Sequence, residues 1–336
     1  MAEPSAGLDP ARAGWRAAIW AAGFLVLVAL ALRALGLGEL GQHLARLDAG
    51  LVLALLGLSL INYALRALRW QALSRAAGLR VPLLRNGLYY VAGFAFAVTP
   101  GKVGEVIRLW LLRRHHAAPY RLTLSLLALD RVSDAVPLLA LCLPGVGAFA
   151  GHGWSLAAVG GIVLAGLLLV LRPGALAAVI KLVYARVRRR PRLFAGALRA
   201  LRSMGTLTTP RVLLMAMTLG ALGWSAEILA AWLVLDRLGA DVGLAAAAFV
   251  FGFGMLVGGL PLFPGGVGGA EATMIALLLL LDVDAGTAVT ATAVIRLATL
   301  GFALVLGFLA LPFAIAGTAG SPARGGDLRP AGHRSR

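Results

Sequence analysis

Several apolar runs of this 336-residue chain reach about 17 to 25 residues, long enough to cross a hydrocarbon core about 30 Å thick. The candidate segments are 15–32, 50–71, 83–99, 122–143, 154–171, 211–235, 243–260, 270–281 and 286–316. Only 13% of the residues are charged, 60% are hydrophobic, and mean hydropathy is +0.89. A soluble domain needs roughly 25% charged residues to clothe its surface. The sequence therefore predicts an integral membrane protein of the all-α, polytopic class.

The first run, 15–32, contains Ala29-Leu30-Ala31, which mimics a signal-peptide cleavage site. It is longer than the usual apolar region of such a peptide and reads as a retained helix. The single cysteine, Cys142, lies within an apolar run and reads as a buried packing residue.

Net charge is +17, and the basic residues flank the apolar runs with no aromatic-rich basic module among them. This points to membrane orientation and not to nucleic acid. If every segment spanned fully, the basic clusters would fall on both sides. They sort to one side if 83–113 and 243–281 are hairpins that enter and leave on the same face. Of the 31 Lys and Arg, 24 then lie on the cytoplasmic side: Arg12 and Arg16, Arg66 through Arg85, Arg113 through Arg121, Arg172 through Arg211, and the arginines of the tail. Such a bias orients the helices, so six full spans and two re-entrant hairpins are expected in a cytoplasmic (inner) membrane, with both termini cytoplasmic. The transmembrane domain is expected over 15–316, after a cytoplasmic N-terminus at 1–14. A basic cytoplasmic segment at 172–210 includes a candidate interfacial helix at 181–204, and the tail 317–336 reads as disordered.

Each expected hairpin breaks at a Pro-Gly-x-Val-Gly string. Pro100, Gly101, Val103 and Gly104 recur 164 residues later as Pro264, Gly265, Val267 and Gly268, with Gly266 beside them. The surroundings recur too: a span at 50–71 or 211–235, the hairpin, then a span carrying Arg131 or Arg296. The extra span 154–171 between the units (about 50–143 and 211–316) reverses the second, giving an inverted repeat. Inverted repeats with interrupted helices are the signature of secondary transporters, whose substrate site lies near the bilayer midplane. Proline and glycine can end one half-helix and start another, leaving helix N-termini that suit phosphate.

Lys102, Glu105, Arg108, Asp130, Arg131, Asp134, Glu227, Glu271 and Arg296 fall in or beside these membrane segments. A central charge facing lipid costs roughly 2.5 to 3.5 kcal/mol even on lenient scales, so these groups must face one another or water. Glu105 and Arg108 are spaced to pair locally, and Asp130 and Asp134 share a helix face. Asp134 and Glu227 also suit structural ion pairing. Arginine forks match the oxygens of a phosphodiester. A glutamate beside arginine offers a means of proton coupling. The candidate binding set is Pro100, Gly101, Lys102, Gly104, Glu105, Arg108, Asp130, Arg131, Asp134, Pro264, Gly265, Gly266, Gly268, Glu271 and Arg296.

No catalytic motif is visible. The histidines 43, 115, 116, 152 and 333 lie in loops or tails without metal-ligand spacing, and nucleotide-binding glycine motifs are missing, so no cofactor, metal or enzymatic activity is expected.

Leu68-Arg69-Trp70, Thr99-Pro100-Gly101-Lys102-Val103-Gly104-Glu105 with Arg108, Asp130-Arg131-Val132-Ser133-Asp134, and Leu260 through Glu271 followed by Arg296 together resemble the lysylphosphatidylglycerol synthase transmembrane-region family of flippase-like proteins. The likeness covers roughly 12–316. In that family the full-length synthase adds a cytosolic domain that transfers lysine from tRNA to phosphatidylglycerol. This chain ends about 20 residues after its last span, so the resemblance implies the flipping half without aminoacyl transfer. Asp130 departs from the family, which more often has Glu before the arginine. Two readings follow: a flippase-like transporter of a phospholipid or other anionic or isoprenoid lipid, or a membrane subunit that presents lipid to a separate glycosyltransferase or synthase.

Overall fold

The computed structural model describes residues 48–99, 103–152, 173–187, 209–259 and 267–316, together with 161, 194, 195 and 198. Among these residues the regular structure is entirely helical. The helices are α1 (Ala49–Ala76), α2 (Leu83–Ala92), α3 (Val103–His116), α4 (Tyr120–Cys142), α5 (Pro173–Val187), α6 (Pro210–Arg237), α7 (Leu244–Gly258), α8 (Gly269–Leu279), α9 (Ala285–Arg296) and α10 (Phe302–Ala316). A tight turn of 3₁₀ helix, Gly93–Phe96, extends α2, another, Leu143–His152, extends α4, and a widened turn, Leu297–Gly301, joins α9 to α10.

Local chemistry sets the ends of these helices. The Asp48 carboxylate accepts from the Leu51 N–H at 2.7 Å to start α1, and Asp284 accepts from Thr287 at 2.9 Å to start α9. Proline precedes or opens α2, α4 and α6, where its missing donor is not needed. Gly78 and Gly239, both at positive φ, close α1 and α6.

Four helical stretches are long and apolar enough to cross a membrane: Ala49–Ala76, Tyr120–Phe149, Pro210–Arg237 and Ala285–Ala316. They match four of the six expected spans. The other two, 15–32 and 154–171, lie outside the described residues, as do the N-terminus, the tail and most of the basic segment beyond α5. Along α5 itself, Lys181 through Arg186 are exposed, apolar Leu182 and Val183 included.

The two segments expected as hairpins are each a pair of shorter helices with the Pro-Gly string between them. The longest of the four, α7, has 15 residues, or about 22 Å at 1.5 Å per residue, short of a hydrocarbon core about 30 Å thick. Within the first pair the backbones nearly touch: a Cβ on Gly104 would collide with the Gly93 carbonyl oxygen. In the second pair, Gly254 packs on Ala270 and Met274.

Packing between elements follows one alternating pattern. The two 28-residue helices α1 and α6 lie along each other. Arg237, at the end of α6, donates to Asp48, at the start of α1, at 2.7 Å, so they run in opposite directions. The last helix of the first unit, α4 with its 3₁₀ extension, packs on α7 of the second, and α10 packs on α2 and its 3₁₀ turn in the first. Glycine permits both crossings, with Gly145 set against the Ala245 backbone and Gly307 against the Phe94–Ala95 backbone. One apolar core gathers around α6–α9 with the end of α4. The other gathers around α2, α3 and the C-terminal part of α1.

Candidate functional site

Between these helices lies a cavity of about 470 Å³. Its wall draws charged residues from α1 (Arg66), α3 (Glu105, Arg108), α4 (Arg131, Asp134), α6 (Glu227) and α9 (Arg296). Both halves of the chain therefore contribute.

On the side of the first half, two carboxylates one turn apart on α4 gather arginines from three helices. Asp130 is fully buried and accepts from Arg69 Nε and Nη2 at 3.0 and 2.8 Å, from Arg131 Nη2 at 2.8 Å, and from Arg108 Nη2 at 3.5 Å. Asp134 accepts from Arg69 at 2.7 Å and Arg66 at 2.8 Å, and lies 3.1 Å from Arg131. Arg69 has no exposed surface and also donates to the Ser133 carbonyl at 3.0 Å. The Arg108 guanidinium stacks 4.0 Å from the centre of the Trp70 ring and 4.5 Å from that of Tyr90, which suits a weakly hydrated planar cation. Arg131 is a third exposed, turns toward the cavity, and has Glu105 within 3.4 Å. Across this group four arginines face three carboxylates, leaving one positive charge unbalanced.

On the side of the second half, Arg296 Nε donates to Glu271 Oε1 at 2.5 Å, and Nη1 reaches the Met255 sulfur at 3.6 Å. Glu271 Oε2 accepts from the Gly268 N–H at 2.7 Å, tying the pair to the start of α8, where Gly268 sits at φ +87°. A common arrangement thus occurs twice: a glutamate in the first turn of the helix after the Pro-Gly string meets an arginine on the span that follows.

Several polar atoms on residues lining the cavity lack a hydrogen-bond partner. The donors are Arg66 Nε, Arg131 Nε and Trp224 Nε1, and the acceptors are Asn62 Oδ1 and Glu227 Oε2.

Of the residues singled out from sequence, Gly104, Glu105, Arg108, Arg131, Asp134 and Arg296 line the cavity. Asp130 anchors the arginines behind its wall, while Glu271 and Gly268 hold Arg296 from the side. Pro100, Gly101, Lys102, Pro264, Gly265 and Gly266 lie outside the described residues. Two details differ from the sequence reading. Glu105 pairs with Arg131 and not with Arg108, whose guanidinium is committed to the aromatic rings and Asp130. Arg66 and Arg69, counted with the cytoplasmic basic cluster, are inside the bundle. Hydropathy alone cannot separate an arginine flanking a span from one buried near its end. The available signal was helical spacing, since Asn62, Arg66 and Arg69 fall on one face of α1 opposite the i, i+4 pair Asp130 and Asp134.

Among the described residues no group of three or more His, Cys, Asp or Glu side chains could hold a metal ion. Cys142 is a buried free thiol packed against α7.

Long apolar helices around a charged interior define a multi-pass helical membrane protein. The chain belongs to the lysylphosphatidylglycerol synthase TM region family, whose sequence profile matches residues 16–307. It is similar to a UPF0104 membrane protein of Methanothermobacter thermautotrophicus, with 27% identity over 314 residues that cover 86% of this chain and 93% of that protein.

Proposed function

We propose that the cavity receives the headgroup of a phospholipid or other anionic or isoprenoid lipid and carries it across the cytoplasmic membrane, as a flippase-like transporter, while the acyl chains stay in the bilayer. The observation that carries this reading is the combination of unpaired donors, Arg66 Nε, Arg131 Nε and Trp224 Nε1, with an excess of arginine around Asp130 and Asp134. A buried donor without an acceptor costs about 1 to 3 kcal/mol, and a phosphodiester supplies the missing oxygens.

On this reading the paired short helices α2–α3 and α7–α8 are re-entrant hairpins that enter from opposite faces, and the six spans form an inverted repeat. The reciprocal packing of α4 on α7 and of α10 on α2, with Glu105–Arg131 and Glu271–Arg296 in matching places, supports that symmetry. Arg131 and Arg296 then stand on either side of the headgroup, and their glutamates hold them until it arrives.

The test is reconstitution in liposomes carrying fluorescently labelled phosphatidylglycerol or a polyprenyl phosphate on one leaflet. Wild-type protein should move label to the other leaflet, and Arg296→Ala or Arg131→Ala should abolish movement while remaining folded in the membrane. No movement of any lipid by wild type, with a lipid-modifying enzyme co-purifying and depending on the protein, would favour the presenting subunit.

A further inference from the structure

Glu227 is the one carboxylate on the cavity wall that has no arginine of its own among the described residues. It is 2% exposed and sits at mid-length of α6, facing α1. Its Oε1 accepts from Asn62 Nδ2 at 2.7 Å, while its Oε2 has no partner. The nearby cations are engaged elsewhere, Arg66 by Asp134 at 2.8 Å and Arg296 by Glu271 at 2.5 Å. Next to the carboxyl is the buried Ser59 hydroxyl, a turn before Tyr63 on α1, close to Glu227 but outside ideal hydrogen-bond geometry.

An anionic carboxylate held by one amide hydrogen, with its other oxygen dry and bare, is an expensive arrangement. Adding a proton to Oε2 changes the chemistry in two ways. The oxygen becomes a donor that the neighbouring Ser59 hydroxyl can accept from, and the carboxyl no longer holds a negative charge on a single amide hydrogen bond. The negative charge also leaves the wall, and the positive charge left unbalanced around Asp130 and Asp134 is no longer offset across the cavity. We infer that Glu227 is a proton-binding site whose occupancy sets the net charge of the cavity, so that a proton and an anionic headgroup bind together and leave together. The inference rests on the lipid-headgroup reading of the cavity for its second half only.

The groups that face Glu227 are consistent with this assignment. From α1 come Tyr63 and Arg66. Tyr63 donates its own hydroxyl proton to the Thr299 carbonyl at 2.5 Å, so it is not directed at the glutamate. From α9 comes Arg296, and from α4, across the cavity, Arg131 and Asp134, each already paired. The packed helix α7 carries no titratable residue. Coupling of this kind is reciprocal: a headgroup that prefers the positive cavity must also tighten the hold on the proton.

Two measurements on the full-length protein test the inference. Infrared spectra near neutral pH should contain a protonated-carboxyl carbonyl band that is lost in Glu227→Gln; a wild type lacking that band, or a Gln variant retaining it, would overturn the proton site. Binding of short-chain phosphatidylglycerol should weaken as pH rises from about 5 to about 8, by up to about tenfold per unit for one linked proton. In Glu227→Gln, which keeps the Asn62 hydrogen bond and is permanently neutral, it should stay tight and pH-independent. Equal pH dependence in the two proteins would overturn the coupling. Failure of the wild type to bind lipid at any pH would instead sink the headgroup reading, while the infrared band still decides whether Glu227 holds a proton.

Discussion

Asp130 and Arg131 are neighbours in sequence with opposite consequences for the protein. Asp130 has no exposed surface and holds three arginines, so removing it would leave several guanidinium groups in a dry site with fewer acceptors than donors. Breaking one partner of a buried charge network costs about 3 to 5 kcal/mol. Asp130→Ala and Arg69→Ala should therefore lower the thermal midpoint sharply, measured by fluorescence-detected size exclusion after heating. Arg131 is a third exposed and replaceable as a structural partner, because Arg69 and Arg66 still satisfy Asp134. Arg131→Ala should keep its midpoint within a few degrees of wild type and lose lipid movement; a collapse matching Asp130→Ala would reassign it to structure. Sequence makes these charges visible because acids and bases stand out among leucines. Their partners stay hidden, because ion pairing between Arg69 on α1 and Asp130, 61 positions away, depends on a helix crossing that no local pattern encodes.

At the scale of elements, each broken helix pair needs small residues where its two arms close. Gly104 faces Gly93 so closely that any Cβ meets a backbone carbonyl, which cannot step aside as a flexible side chain can. Gly104→Ala should push α3 away from the turn at 93–96, carry Glu105 out of reach of Arg131, and reduce both heat stability and transport. Gly87, in the middle of α2, has open space where a methyl group would go, with nothing within 4 Å, and serves as the control. Gly87→Ala should raise stability by about 0.5 to 1 kcal/mol through helix propensity alone. If both substitutions shift the thermal midpoint alike, the close approach of Gly93 and Gly104 is not what holds the two helices together. The interruption itself is readable from Pro100 and Pro264, since proline and glycine rarely continue a helix. The 3₁₀ turn before the first string and the widened turn after Arg296 are not. Both are set by packing, the first by Gly307 of α10 against Ala95 and the second where Tyr63 of α1 takes the Thr299 carbonyl.

For the whole molecule, the order of apolar runs and basic clusters in the sequence carries most of the architecture. Four of the six expected spans are in the described structure, with α4 packed on α7 and α10 packed on α2. The cavity draws charged residues from both halves of the chain, Glu105 and Arg131 from the first and Glu227 and Arg296 from the second. Its size and the unpaired donors on its lining residues depend on side-chain directions, which composition does not reveal. The central claim is that the two helix pairs turn back inside the bilayer from opposite faces. The most direct measurement is cysteine labelling in sealed vesicles, in a Cys142→Ala background, with Arg114→Cys just before the end of α3 and Ala285→Cys at the start of α9; both positions are exposed. A membrane-impermeant maleimide should reach position 114 only from the cytoplasmic face and position 285 only from the opposite one. Labelling of both from the same face would contradict the account.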